Sequence, residues 1–168
     1  YIKKLQEKAT DIYRGISGEK EELQIKYLSN VRYESEDKQD IAKIYFNNMI
    51  KNRPNDLYLK NTTSGPHRDD IEILINNISA RKFGSQGQQR SASLALKLGE
   101  AEIIKDLKGE HPIILLDDVM SELDSTRQNY ILNKMTDKQV FITCCEKETI
   151  SRLSAGKVFK VENGKVVD

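Results

Sequence analysis

Residues 111–124, HPIILLDDVMSELD, run four consecutive apolar side chains, Ile113, Ile114, Leu115 and Leu116, straight into two adjacent carboxylates, Asp117 and Asp118. A short unbroken apolar run of this kind suits a central parallel strand buried on both faces. The carboxyl end of such a strand is where open α/β folds bind their ligands. Neighbouring residues of a strand point to opposite sides, so Asp117 and Asp118 are expected to do different work, one holding a metal and the other facing a water.

An acidic residue that closes an apolar strand is the pattern of a Walker B segment, whose carboxylate holds Mg²⁺ through its water shell and so serves nucleotide phosphates. A buried strand followed by a polar turn is spelled the same way. The flanking segments have to decide between the two.

With 168 residues the chain can bury one sizeable core, or one core and a small helical subdomain. Its net charge of +1 supplies no global basic field, so any contact with DNA has to come from a local patch or from a part of the protein beyond this stretch. Cys144 and Cys145 are adjacent at the end of an apolar run and read as strand residues rather than as a disulfide framework or a metal pair, which points to a cytoplasmic protein. No apolar run approaches membrane-spanning length. The chain opens on Tyr1 and enters a helical pattern at once, and it is expected to be a fragment of a longer one.

Residues 1–16 place Ile2, Leu5, Ala9, Ile12, Tyr13 and Ile16 at helical spacing among Lys, Glu and Asp, the pattern of a packed amphipathic helix. Leu23, Ile25 and Tyr27 then alternate with Gln24 and Lys26 as in a half-buried strand. After a polar turn, Ile41, Ile44, Tyr45 and Met49 share a helical face that Pro54 is expected to close, with a short strand at residues 57–59. A compositional seam at residues 51–56 suggests a division into 1–56, the end of a helical and β lobe, and 57–168.

The loop TTSGPHRDD, residues 62–70, bends at Gly65 and Pro66, and His67, Arg68, Asp69 and Asp70 read as a solvated ion-pair cluster, with a metal site as the sharper alternative. Asn76-Asn77 tolerates positive φ and predicts a hairpin from the alternating residues 71–75 into residues 78–83. Asn163-Gly164 predicts a second hairpin near the end of the chain, and residues 140–143 read as another buried strand.

The second informative stretch is GSQGQQR, residues 84–90, which opens a helix carrying Leu94, Leu98, Ala101 and Ile104 on one face and stopping at Gly109. Helix N-termini attract anions through unpaired N–H groups and the helix dipole. Ser85 adds a hydroxyl, Gly87 lets backbone approach closely, and Gln88 and Gln89 add neutral donors. A plain N-cap with a polar loop accounts for the same residues. Further on, SELD at residues 121–124 precedes Ser125-Thr126-Arg127-Gln128, which fits a capping box opening the next helix.

SQGQQR, IILLDD and SELD, in that order, resemble the signature loop, Walker B strand and D-loop of the ABC-type ATPases of chromosome maintenance. Within that superfamily, SGPHRDD at residues 64–70 and ARKFGSQGQQRS at residues 80–91 are most similar to the RecF family of bacterial recombination-repair ATPases. The resemblance implies an α/β fold, the C-terminal part of an ABC-type P-loop ATPase domain with a small helical and β subdomain at its N-terminal end. It assigns Asp117 to Mg²⁺ and Asp118 to the attacking water, where most ABC ATPases carry a glutamate. It makes Ser85, Gly87 and Gln88 the residues that meet the γ-phosphate of ATP held by the other subunit, and Asp124 the residue that closes the D-loop against the dimer partner.

Two departures stand out. The position of the switch histidine of many ABC ATPases is Cys144 or Cys145 here, and no G-x-x-x-x-G-K-[ST] phosphate loop occurs in the chain. The expectation is therefore a C-terminal portion, inactive alone, of a protein whose phosphate loop lies upstream. The resemblance further implies that the whole protein binds ATP and Mg²⁺, forms an ATP-dependent homodimer, binds gapped or junction DNA, and works with RecR and RecO to load RecA, with no membrane involved. Alternatives are another ABC-type family member, which SGPHRDD and the missing histidine argue against, and a non-enzymatic docking module that keeps the signature and D-loop surfaces.

Overall fold

The structure is a computed structural model, and it describes residues 1–35, 37–120, 123–135, 137–145 and 156–167. The chain divides into two compact units, one formed by Tyr1–Gln24 with Ile75–Asp168 and the other by Ile25–Leu74.

In the first unit, α1 (Ile2–Ile16) buries Leu5, Ala9, Ile12, Tyr13 and Ile16 and lies along α4 (Gln86–Lys108). The approach is close because α4 offers Ala92, Ala95 and Gly99 on one face, and a Cβ on Gly99 would sit 3.1 Å from the backbone N of Ala9. Glycine in a helix interior costs about 1 kcal/mol relative to alanine. Here it is the position where the two backbones nearly touch. The Lys8–Asp106 ion pair (2.8 Å) is exposed and adds little to that contact.

Within the same unit β4 (Ile114–Asp117) pairs in parallel with β5 (Val140–Thr143), with Ile114 opposite Val140 and Asp117 opposite Thr143. The strand forms where the apolar run predicts it, but it is not buried on both faces. Ile114 and Leu116 are buried while Leu115 is 72% exposed, and its register partner Phe141 on β5 is exposed as well. Among the described residues nothing covers that second face. The hairpin of β6 (Lys160–Glu162) and β7 (Lys165–Val167) turns at Asn163 and Gly164, both at positive φ, as a two-residue hairpin loop requires.

A three-stranded sheet is ordered β1 (Leu23–Leu28), β2 (Asp70–Ile75), β3 (Ile78–Ser79). Asn76 and Asn77 make the expected turn at positive φ. The strand beyond it stops at Ser79, however, and Ala80–Phe83 coil into a helical turn, α3, closed by the Gln89 amide donating to the carbonyls of Ala80 and Gly84 (3.0 Å each).

In the second unit α2 (Lys38–Leu59) begins at Asp37, whose carboxylate accepts from the N–H groups of Gln39 and Asp40. It runs through Pro54 instead of ending there, and residues 57–59 are its last turn rather than a strand. Lys60, at φ 53, ends it, and Asp56 secures the exit by accepting from the N–H and hydroxyl of Thr63. The seam expected at residues 51–56 thus falls inside α2. Of the helical face expected here only Tyr45 is buried, and Met49 is exposed.

Candidate functional site

The carboxyl end of β4 carries Asp117, exposed, with Thr143 opposite it on β5. The Thr143 hydroxyl donates to Oδ1 of Asp117 (2.5 Å) and accepts from the N–H of Asp118 (3.0 Å). One side chain therefore orients the first carboxylate and fixes the backbone of the second. The strand ends at Asp117, and Asp118 takes a left-handed conformation, φ +52, that L-residues other than Asn and Asp seldom accept. The differing environments of the two carboxylates accordingly come from this turn and not from strand alternation. Backbone strain of this sort concentrates at functional positions.

Among the described residues no three His, Cys, Asp or Glu side chains converge to hold a metal by themselves. Mg²⁺ does not need them, since it keeps most of its waters and takes one or two carboxylates together with substrate phosphates. Asp117, exposed and with one oxygen engaged by Thr143, fits that partial role.

The second group of site residues lies at the start of α4. Ser85 is its N-cap: Oγ accepts from the N–H of Gln88 (3.2 Å) and the N–H of Ser85 donates to Oε1 of Gln88 (2.8 Å), a complete capping box. The amide nitrogen of Gln88 donates to Glu21 (2.6 Å), whose other oxygen accepts from the buried Tyr13 hydroxyl (2.7 Å). Burial, and then the bond to Glu21, push the Tyr13 phenol well above its ordinary pKa, so it stays a donor. Gln88 and Gln89, read from sequence as donors for an anion, are thus both turned inward and brace the turn. Of the first-turn N–H groups, that of Gln88 is taken by the Ser85 hydroxyl, and such groups have no partner within a helix itself.

Asp124 is the N-cap of α5 (Ser125–Asn133), accepting from the N–H groups of Thr126 and Arg127 (3.0 Å each). The cap therefore lies one residue before Ser125, where the box was expected to start. Gln128, expected to close that box, is buried and donates to the carbonyls of Met120 (2.7 Å) and Leu123 (3.0 Å). Ser121 and Glu122 of SELD lie outside the described residues. Arg127 pairs with Asp124 through Nε (3.1 Å) and donates from Nη1 to the carbonyl of Gly87 and to Ser91 Oγ. The structure thus brings Ser85, Gly87, Gln88 and Asp124 into one group through Arg127, and Asp117 and Asp118 into another through Thr143.

Cys144, half-buried, and Cys145, exposed, follow β5, and neither is in a disulfide. In the second unit Arg68 and Asp69 of the charged loop are held by hydrogen bonds to other groups and not by each other. Arg68 donates to the carbonyl of Thr62 (2.9 Å), while Asp69 accepts from the hydroxyls of Tyr27 and Tyr45 and from the N–H of Asn30. Burial alone would raise the Asp69 carboxyl, but those three hydrogen bonds outweigh it and hold the group below the usual carboxylate range.

Sequence reasoning missed Thr143, Glu21, Arg127 and Gln128. Only Thr143 had a signal, because aligning two parallel strands by their apolar runs sets it against Asp117.

No family model matches the chain. Over its full length it is 46% identical to the DNA replication and repair protein RecF of Clostridium tetani, of which it covers 46%. It is 41% identical to the RecF of Clostridium botulinum strain Okra over 99% of the chain and 45% of that relative. A solved structure of the recombination mediator protein RecF-ATPrS in the RecFOR pathway superposes with a TM-score of 0.77 at 41% identity, over 99% of this chain and 44% of that one. The chain is homologous to RecF along its whole length. It spans a little under half the length of the RecF relatives it matches. An SMC ATPase structure, 13% identical with a TM-score of 0.54, shares the fold alone. The RecF likeness runs across both units, including the segment before residue 57 where the sequence motifs are silent. Among the described residues no helix is long and apolar enough to cross a membrane.

Proposed function

We propose that this chain forms part of a RecF-type, ATP-dependent DNA-repair ATPase and contributes the Walker B strand end, the signature turn and the D-loop to an ATP-driven homodimer. The observation that best supports this reading is the end of β4, where Asp117 is oriented by Thr143 and Asp118 leaves the strand in a strained turn. Asp117 would hold Mg²⁺ together with ATP, and the ion, when bound, supplies charge neutralisation at the phosphates. Asp118 orients the attacking water and accepts its proton; the aspartate sets that carboxylate further back than a glutamate does and fits slow turnover. Ser85 and Gly87 present the first turn of α4 to the γ-phosphate of ATP held by the other subunit, and Gln88, committed to Glu21 and Ser85, keeps that turn in shape. Asp124 faces the dimer partner from the D-loop. The whole protein binds gapped or junction DNA and, as the RecFOR pathway named for the solved relatives suggests, acts with RecR and RecO in loading RecA.

The test is a pair of substitutions in the full-length protein. Asp118→Asn should keep ATP-dependent dimerisation while turnover falls about 100-fold or more. Asp117→Asn should weaken Mg-ATP binding itself, read by titration calorimetry. Equal loss of nucleotide binding in both variants contradicts the division of labour.

A further inference from the structure

Arg127 spans from the first turn of α5 to the first turn of α4. Its Nη1 donates to the Gly87 carbonyl (2.8 Å) and to Ser91 Oγ (2.7 Å), and its Nε pairs with Oδ2 of Asp124 (3.1 Å). Ser91 is buried in the core and the Arg127 side chain is only 21% exposed, so the contacts to Gly87 and Ser91 are little screened by water, while the Asp124 carboxylate is 59% exposed. Gly87 makes room for them: a Cβ there would lie 3.1 Å from Nη1. A planar guanidinium makes such contacts in a fixed relative geometry, which the single point charge of a lysine cannot reproduce.

We propose that Arg127 is a positioning residue that holds the signature turn and the D-loop aspartate in one fixed arrangement, so that a partner subunit meets them as a single preformed surface. This rests on the reading of residues 85–88 and Asp124 as dimer-facing. Ordering two independent surfaces during association costs affinity, whereas a link made in the folded monomer removes that cost beforehand. Arg127 spends its donors on Gly87, Ser91 and Asp124. Its loss should therefore fall on dimerisation and spare the hold of each monomer on ATP.

The experiment compares Arg127→Gln, Arg127→Lys and Ser85→Arg in the full-length protein. It reads the protein concentration for half-maximal dimerisation in Mg-ATP by light scattering, and the Mg-ATP affinity of the monomer by calorimetry. Both Arg127 variants should raise the half-dimerisation concentration roughly tenfold with Mg-ATP affinity unchanged, and Ser85→Arg should abolish dimerisation. Should Arg127→Gln unfold, Arg127→Lys carries the test, since it keeps the charge and one contact. Normal dimerisation of the Arg127 variants beside a monomeric Ser85→Arg overturns the positioning role alone. Parallel loss of Mg-ATP affinity and dimerisation marks a merely structural arginine and also overturns it. Normal dimerisation of Ser85→Arg removes the dimer-facing reading on which the proposal stands.

Discussion

The start of α4 and the end of β4 both carry polar residues singled out by sequence, yet they are built in opposite ways. At the start of α4 the side chains of Ser85, Gln88 and Gln89, with Arg127 reaching in from α5, are turned onto neighbouring backbone, and beyond them Gln128 of α5 braces residues 120 and 123 in the same way. At β4 two carboxylates stand exposed, with a left-handed residue between strand and loop. A surface that recognises a partner gains from being rigid before contact, because ordering it later costs affinity. A centre that receives a metal and a water gains from keeping charge in the open and accepting local strain. The contrast is the one expected if the first region serves recognition and the second chemistry, as proposed above.

Stability measurements on this chain can break the contrast. The largest effect is expected at Gln128. Gln128→Ala leaves the buried carbonyls of Met120 and Leu123 without their side-chain donor and should cost about 3 kcal/mol in urea unfolding. The effect at Asp118 should be smaller and of opposite sign: Asp118→Gly relieves the left-handed strain and should stabilise by about 1 kcal/mol, while removing the carboxylate proposed to serve turnover. Similar losses in both variants would mean that the strand end is structural too, and the division between the regions would fall.

Some of this was legible in the sequence. The helix of α1 followed from six apolar residues at one spacing, both hairpin turns from Asn-Asn and Asn-Gly pairs at positive φ, and the N-cap of α4 from its polar opening, though not the capping box that Ser85 and Gln88 make there. What misled were local signals that tertiary structure overrides. Pro54 can break a helix, but α2 carries on through it, and three apolar residues beyond it are too few to tell a strand from a helical turn. The run at residues 113–116 reports that apolar side chains stand on both faces of β4, not that both faces are covered; Leu115 is apolar and exposed. Asp124 and Ser125 both suit an N-cap, and only the observed bonds to Thr126 and Arg127 choose between them. Arg127 and Glu21 were beyond reach because each acts across 40 or more residues of chain, where no spacing rule operates.

The claim that the start of α4 serves a partner subunit is tested most directly by placing a bulky cation at its cap. Full-length protein carrying Ser85→Arg, followed by light scattering as Mg-ATP is added, should stay monomeric while each monomer binds ATP as tightly as the unaltered protein, because the proposal has the blocked N–H groups face the other subunit's phosphate. ATP-dependent dimerisation at the unaltered concentration would contradict the account and leave Ser85 a helix cap and nothing more.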